Sequence, residues 1–183
     1  MGGETGDFLS LLRGQKHDFL NHLQVICGFL QLGKPERALV YTKDVAARME
    51  KLGRLMRLKP PELALQSQFK LEEAARRQIR VEVEMATEME GLLLSGEEAT
   101  RLLEPAWQLA LSAAESEEAE GRLNLEIRET AGGYSWRFFG VPGGAGVDAG
   151  PIWDELQSRA AEYGVSLSWS PQVFELILVL PRR

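Results

Sequence analysis

His17, Asp18 and Asn21 are the residues of this chain whose types and spacing suit covalent chemistry. They lie in Lys16-His17-Asp18-Phe19-Leu20-Asn21-His22-Leu23-Gln24-Val25-Ile26, inside a strongly helical pattern near the N-terminus. An exposed imidazole is largely neutral at pH 7, and the neutral ring is a nucleophile. A neighbouring carboxylate, here Asp18, can hold the ring in the tautomer that leaves the other nitrogen free, or act as a general base. Asn21 follows one turn on, at i+4, within reach of the ring or of an incoming group.

The helix must present these groups to something outside the core. With Leu12 at zero and about 100° per residue, Phe19, Leu23, Ile26 and Leu30 fall within roughly 40° of that zero and form one apolar face, and His17 falls about 140° away. Arg13, Asn21, Gln24, Gly28 and Gln31 share the side of His17, giving a polar stripe with an imidazole in its middle. Taken alone, the pattern also fits a solvated surface histidine. His22, on another side of the wheel, reads as a helix-flank residue. Gly28 has no side chain and would let a second protein approach closely. Arg13 and Lys16 read either as local positive charge for an anionic group or as solvated helix charges. Cys27 falls close to the apolar face, which predicts a buried thiol.

The run from His17 to Leu32 resembles the phosphoacceptor box of the sporulation initiation phosphotransferase B family and of the related citrate/dicarboxylate-type sensor histidine kinases. Histidine, acid, asparagine at i+4, Leu23-Gln24 and Gly28 all fall in register. The resemblance implies that His17 carries a phosphoryl group, with Asp18 and Asn21 as its helpers.

Along the chain, Phe8 to Leu32 reads as a first helix with Asp7 as N-cap. Gly33-Lys34-Pro35 ends it, and Glu36 to about Leu58 reads as a second helix. So short a connection makes an antiparallel hairpin. Its long apolar stripes predict pairing with a second hairpin into a four-helix bundle, hence a homodimer, which the resemblance also implies. The alternative is a hairpin packed on the C-terminal half of its own chain. Lys59-Pro60-Pro61 is the clearest break, so the expected domains are 1–59 and 60–183.

Beyond the break, Glu62 to about Gln78 is helical, and Ile79 to Met85 alternates as a strand. Ser95 and Glu98 have capping-box spacing before a helix from Gly96 to Glu115, which Pro105 could bend. The acidic patch Glu115 to Glu120 reads as a solvated helix end and loop. Leu123–Ile127 and Tyr134–Phe139 read as strands around the turn Ala131-Gly132-Gly133. A Gly-rich loop spans Gly140 to Gly150, and a helix from Pro151 to Tyr163 ends at Gly164. Val165–Trp169 and Val173–Leu180 form a second hairpin. The expected fold class is α+β: a helical hairpin, then an α/β sandwich with helices over one face of a mixed sheet.

That second element order resembles the ATP-binding domain of histidine kinases, but without its working residues. The family's Asn-rich helix corresponds to Leu102–Ala113, where proline and leucine stand at the expected asparagine positions. In the next box Val141-Pro142-Gly143-Gly144-Ala145-Gly146-Val147 keeps glycines, but Pro142 takes the place of the adenine-binding aspartate. The later Gly-x-Gly box is missing from Ile152 to Gly164, and no Lys-Ser/Thr follows Gly143–Gly146 as a phosphate loop would need.

The 183-residue chain is 44% hydrophobic with a net charge of −6, which argues against nucleic-acid binding or a basic membrane surface. It has no apolar run long enough to span a membrane and no signal-peptide pattern, so the expected location is cytoplasmic. A single cysteine excludes an intrachain disulfide. The resemblance implies a histidine phosphotransferase of a phosphorelay, controlling sporulation initiation. His17 would take a phosphoryl group from one response-regulator aspartate and pass it to another. It would use no cofactor of its own, with Mg2+ supplied by the receiver domain. The alternatives are a non-catalytic dimeric adaptor or inhibitor that binds a response regulator or kinase, and a true kinase with an unusual ATP site.

Overall fold

Ten elements follow in the order expected from the sequence. A computed structural model describes residues 2–115, 120–140 and 150–183; for residues 2–12 and Gln15 the description is of backbone only. The elements are α1 (Gly2–Gln31), α2 (Pro35–Leu55), α3 (Pro61–Arg76), β1 (Ile79–Met85), α4 (Gly96–Ala114), β2 (Gly121–Thr130), β3 (Gly133–Gly140), α5 (Gly150–Tyr163), β4 (Ser166–Ser170) and β5 (Glu175–Leu180). They form two compact units that meet between Leu52 and Gly53. The Gly-rich segment with Pro142, and most of the acidic patch, lie outside the described residues.

In the N-terminal unit, α1 and α2 form the hairpin. Gly33 sits at φ +66°, a left-handed conformation that glycine adopts without a Cβ penalty. The amide of Gly33 donates to Leu30 O at 3.0 Å and that of Lys34 to Phe29 O at 2.9 Å, which closes α1 with a Schellman turn. Pro35 opens α2 at once, where its fixed φ suits a first helical turn and its missing N–H costs nothing. Asp7 is not the N-cap of α1: the helix already runs from Gly2, because no proline or competing turn halts it upstream. At the other end α2 stops at Leu55 and not near Leu58. The amides of Arg57 and Leu58 bond three residues back, to Arg54 and Leu55, tightening the chain before Pro60 and Pro61.

The C-terminal unit is one five-stranded mixed sheet, order β1-β2-β3-β5-β4, with β1 parallel to β2 and the other pairs antiparallel. Period-two alternation puts Val83, Leu125, Phe138 and Leu176 in register on one face, beneath α3, α4 and α5. Trp107 of α4 meets Phe138 of β3 edge to face, with centroids 5.0 Å apart. Leu55 and Leu58, just past the end of the hairpin unit, are buried in this core. The opposite sheet face is polar: Arg137 bonds Glu175 and Glu126 and lies over the Phe139 ring at 4.3 Å.

Most boundaries fall where their local chemistry puts them. Ser95 Oγ accepts from the Glu98 amide at 3.3 Å, and Glu98 Oε2 accepts from the Ser95 amide at 2.8 Å, completing the capping box. Pro105 does not interrupt α4, and it is buried. The β2–β3 turn is tighter than read, with Thr130 directly opposite Gly133. A Cβ at Gly133 would stand 2.0 Å from Leu180 O, so only glycine fits there. The strand β5 begins two residues later than its alternation suggests, because Phe174 adopts φ 42° and turns into the core.

Ser95→Ala removes the cap and is expected to cost about 1 kcal/mol of unfolding free energy in urea titrations. The hydrogen bonds from Ser95 hold the Glu98 carboxyl below the ordinary glutamate range. Its folded pKa is the lower one, so this stabilisation is present above the ordinary value and fades as the pH falls through the folded one. The stability gap between wild type and Glu98→Gln should therefore shrink on acidification.

Candidate functional site

The helical wheel of α1 separates three kinds of residue in the structure. Phe29 and His22 face α2, where Phe29 and Tyr41 meet ring to ring with centroids 6.2 Å apart. Ala38 and Val45 of α2 are buried in the same hairpin. Phe19, Leu23 and Leu30, on the apolar face, remain 50%, 42% and 54% exposed. His17, Arg13, Lys16, Asn21 and Gln24 are all exposed on the polar side.

The side chains of His17 and Asp18 are 74% and 75% exposed. Asn21 Nδ2 lies 3.0 Å from His17 Nδ1, a hydrogen bond across one helical turn. Asp18 Oδ1 stands 3.8 Å from the same nitrogen, beyond hydrogen-bond length but close enough for charge to act. The structure thus brings Asn21 onto the ring and leaves Asp18 beside it. With the amide nitrogen donating, the ring proton belongs on Nε2. A half-turn of the amide offers its oxygen to Nδ1–H instead and leaves the Nε2 lone pair open to solvent. Either way one ring nitrogen is engaged by the protein and the other is free.

Gly28 shares this side, and an added Cβ there would meet nothing within 4 Å among the described residues beyond its own helical turn. The fold of the single chain therefore does not require glycine. Two readings change. Cys27 is exposed and not buried, because it lies off the edge of the apolar arc, away from α2. His22 is more than a flank residue: its Nδ1 lies 2.8 Å from the Tyr41 hydroxyl across the hairpin, with both residues half-buried. Tyr41 carries no motif of its own, and it is met only once the hairpin brings it beside His22.

The α4 stretch that corresponds to the Asn-rich helix of kinases is occupied by other interactions. Pro105, Leu102 and Leu103 are buried. Glu104 accepts from Lys70 Nζ at 2.5 Å and from Gln66 Nε2 at 3.0 Å. Burial pulls the Lys70 pKa down, but hydrogen bonds and charge from Glu104 and Glu73 outweigh it and leave the ammonium above its ordinary value. This surface of α3 and α4 is an ion-paired seam. No group of three or more potential metal-ligating side chains occurs among the described residues, nor is any described helix long and apolar enough to cross a membrane.

Residues 3–58 match the family model described as Sensor_kinase_SpoOB-type, alpha-helical domain, so the likeness read from His17 to Leu32 holds over the whole hairpin. The fold is similar to that of the Acinetobacter baumannii histidine kinase AdeS, at 10% identity and a TM-score of 0.51, covering 91% of this chain and 98% of that one. The Erythrobacter litoralis EL346 blue-light activated histidine kinase matches at 16% identity and a TM-score of 0.48, covering 88% of this chain and 63% of its own. A bacterial phosphotransferase structure matches at 16% identity and a TM-score of 0.43, covering 94% of each chain. No curated protein matches the chain in sequence. The helical-domain match supports a two-component signalling protein, and the structural likeness shows a histidine-kinase-like fold.

Because nothing among the described residues fills the space beside Gly28, Gly28→Ala should raise the unfolding free energy of the hairpin, by up to about 1 kcal/mol in chemical denaturation. A loss of stability would show that the single chain itself needs the glycine.

Proposed function

We propose that this protein is a histidine phosphotransferase of a phosphorelay, with His17 as the residue that carries the phosphoryl group. The observation that carries this reading is an exposed imidazole whose Nδ1 is held by Asn21, inside a SpoOB-type helical domain. With Nδ1–H bonded to the Asn21 oxygen, the Nε2 lone pair attacks the phosphorus of a receiver's aspartyl phosphate. The N–P bond forms as the P–O bond to the aspartyl carboxylate breaks, and that carboxylate leaves. The ring acquires positive charge in the step, and the Asp18 carboxylate at 3.8 Å stabilises it. The second transfer reverses these bonds onto another receiver aspartate. Splitting the transfer this way asks little of the protein beyond positioning and charge. Mg2+ would come with the receiver's acidic pocket.

The charge distribution supports the same reading. The unit that holds His17 carries seven of the 21 Lys and Arg residues and six of the 27 Asp and Glu, whereas the C-terminal unit carries fourteen and 21. The chain's acidity thus belongs to the C-terminal unit, and the near-neutral hairpin does not itself repel an acidic receiver. The same acidity, with the Lys70–Glu104 seam and buried Pro105 on α4, disfavours a nucleotide triphosphate on the C-terminal unit. We read that unit as a kinase-like shell that does not deliver ATP.

The exposed Phe19, Leu23 and Leu30 of α1 and Met49 of α2 support a second copy of the hairpin as the cover of the apolar face, completing a four-helix bundle. Gly28, on the His17 side, leaves room for the receiver. Control of sporulation is the pathway that the family likeness suggests.

The test is phosphoryl transfer from a pre-phosphorylated receiver domain, run beside ATP alone. Label should reach wild type from the receiver only. His17→Ala should abolish it, Asn21→Ala should slow it about tenfold or more, and Gly28→Ala should weaken receiver binding. Receiver binding without label on His17 would instead identify an adaptor, and label from ATP would identify a kinase.

A further inference from the structure

His17 is useful only while its side of α1 points outward, and the apolar pattern of α1 defines that rotation poorly. Leu20 and Val25 lie outside the main apolar arc, so large apolar residues run well round the helix. Apolar contact is non-directional, and a helix of this kind can turn or slip against its neighbour at small cost. A slip of one residue moves α1 by about 1.5 Å and turns it by about 100°. His17 would then leave the outer side.

We propose that His22 and Tyr41 are a positioning pair that sets the rotation and register of α1 against α2, and so the presentation of His17. The two side chains lie 2.8 Å apart across the hairpin, half-buried, with ring centroids 5.8 Å apart. A partly buried polar pair is satisfied in one register only, since a slip leaves both groups desolvated and unpaired. Phe29 packs against the same Tyr41 ring from two turns further along α1, so the phenol is located by two residues of the helix it reads. His22 follows His17 by five residues, about 140° round the helix. Holding His22 toward α2 therefore holds His17 away from it. The kinetic consequence rests on the phosphotransfer reading of His17, whereas the register does not.

The experiment uses the full chain and two readouts. The first is single-turnover transfer from a phosphorylated receiver, with helicity checked by circular dichroism. Tyr41→Phe keeps the ring and removes the hydroxyl, and His22→Leu removes the partner nitrogen. Both should lower the saturating transfer rate about tenfold or more while the half-saturating receiver concentration stays within about twofold. His22→Asn, whose side-chain oxygen occupies the place of Nδ1, should restore the rate. The second readout is the modification rate of the native thiol Cys27 by a maleimide, which reports rotation of α1 without any phosphoryl chemistry. It should change severalfold in Tyr41→Phe and His22→Leu and return in His22→Asn. Wild-type Cys27 reactivity in both variants overturns the inference, whatever the transfer rates. If wild type takes no phosphoryl group, the phosphotransfer reading fails by itself, and the Cys27 rates still decide the register.

Discussion

The rotation of α1 about its own axis is the constraint on which the candidate site depends. A helix places each side chain by its angle, so an imidazole in a fixed sequence position is exposed or lost according to which neighbours hold the other sides. The Schellman turn at Gly33 and the immediate start of α2 at Pro35 set how the chain folds back. From there the helices are antiparallel by geometry, and the contacts of Phe29 and His22 with Tyr41 place α2 on one flank of α1. What remains outward is the stripe that carries His17, Asn21 and Gly28.

The hairpin leaves much apolar surface exposed on both of its helices. It leaves Leu39 and Leu52 of α2 exposed along with the apolar face of α1. Two helices in contact can each cover only part of the other's circumference. The same geometry keeps the His17 stripe free, because it lies on the side opposite the contact with α2. The exposed apolar face and the polar stripe with His17 thus lie on different sides of one helix.

The C-terminal unit is held by packing that is independent of any bound group. Its stability comes from a sheet face of Leu125, Ile127, Trp136, Phe138 and Leu178 under α4, none of which requires a bound nucleotide. A buried proline in α4 is compatible with that packing, since the side chains around it carry the contact with the sheet. The polar positions beside it form ion pairs, Lys70 with Glu104 and Glu73. A kinase-like element order therefore does not by itself fix the chemistry of the helix face above the sheet.

This contrast explains what could be read from the chain alone. The element order, the alternation of β1 and the Ser95–Glu98 box were legible because each is written in a few adjacent residues with one physical meaning. So was the Asn21–His17 contact, since i+4 on a helix is a local distance. Local chemistry did not locate the start of α1: Asp7 is a good cap, but a cap residue stops nothing when the helix before it has no breaker. It also misplaced Cys27, because an angle near the edge of the apolar arc is buried or exposed according to where α2 lies. Tyr41 was invisible for the same reason. Its meaning depends on His22, nineteen residues earlier in the chain, and only the register of the folded hairpin brings the two together. Contacts within one helix are legible from spacing, whereas contacts between helices depend on the register of the folded hairpin.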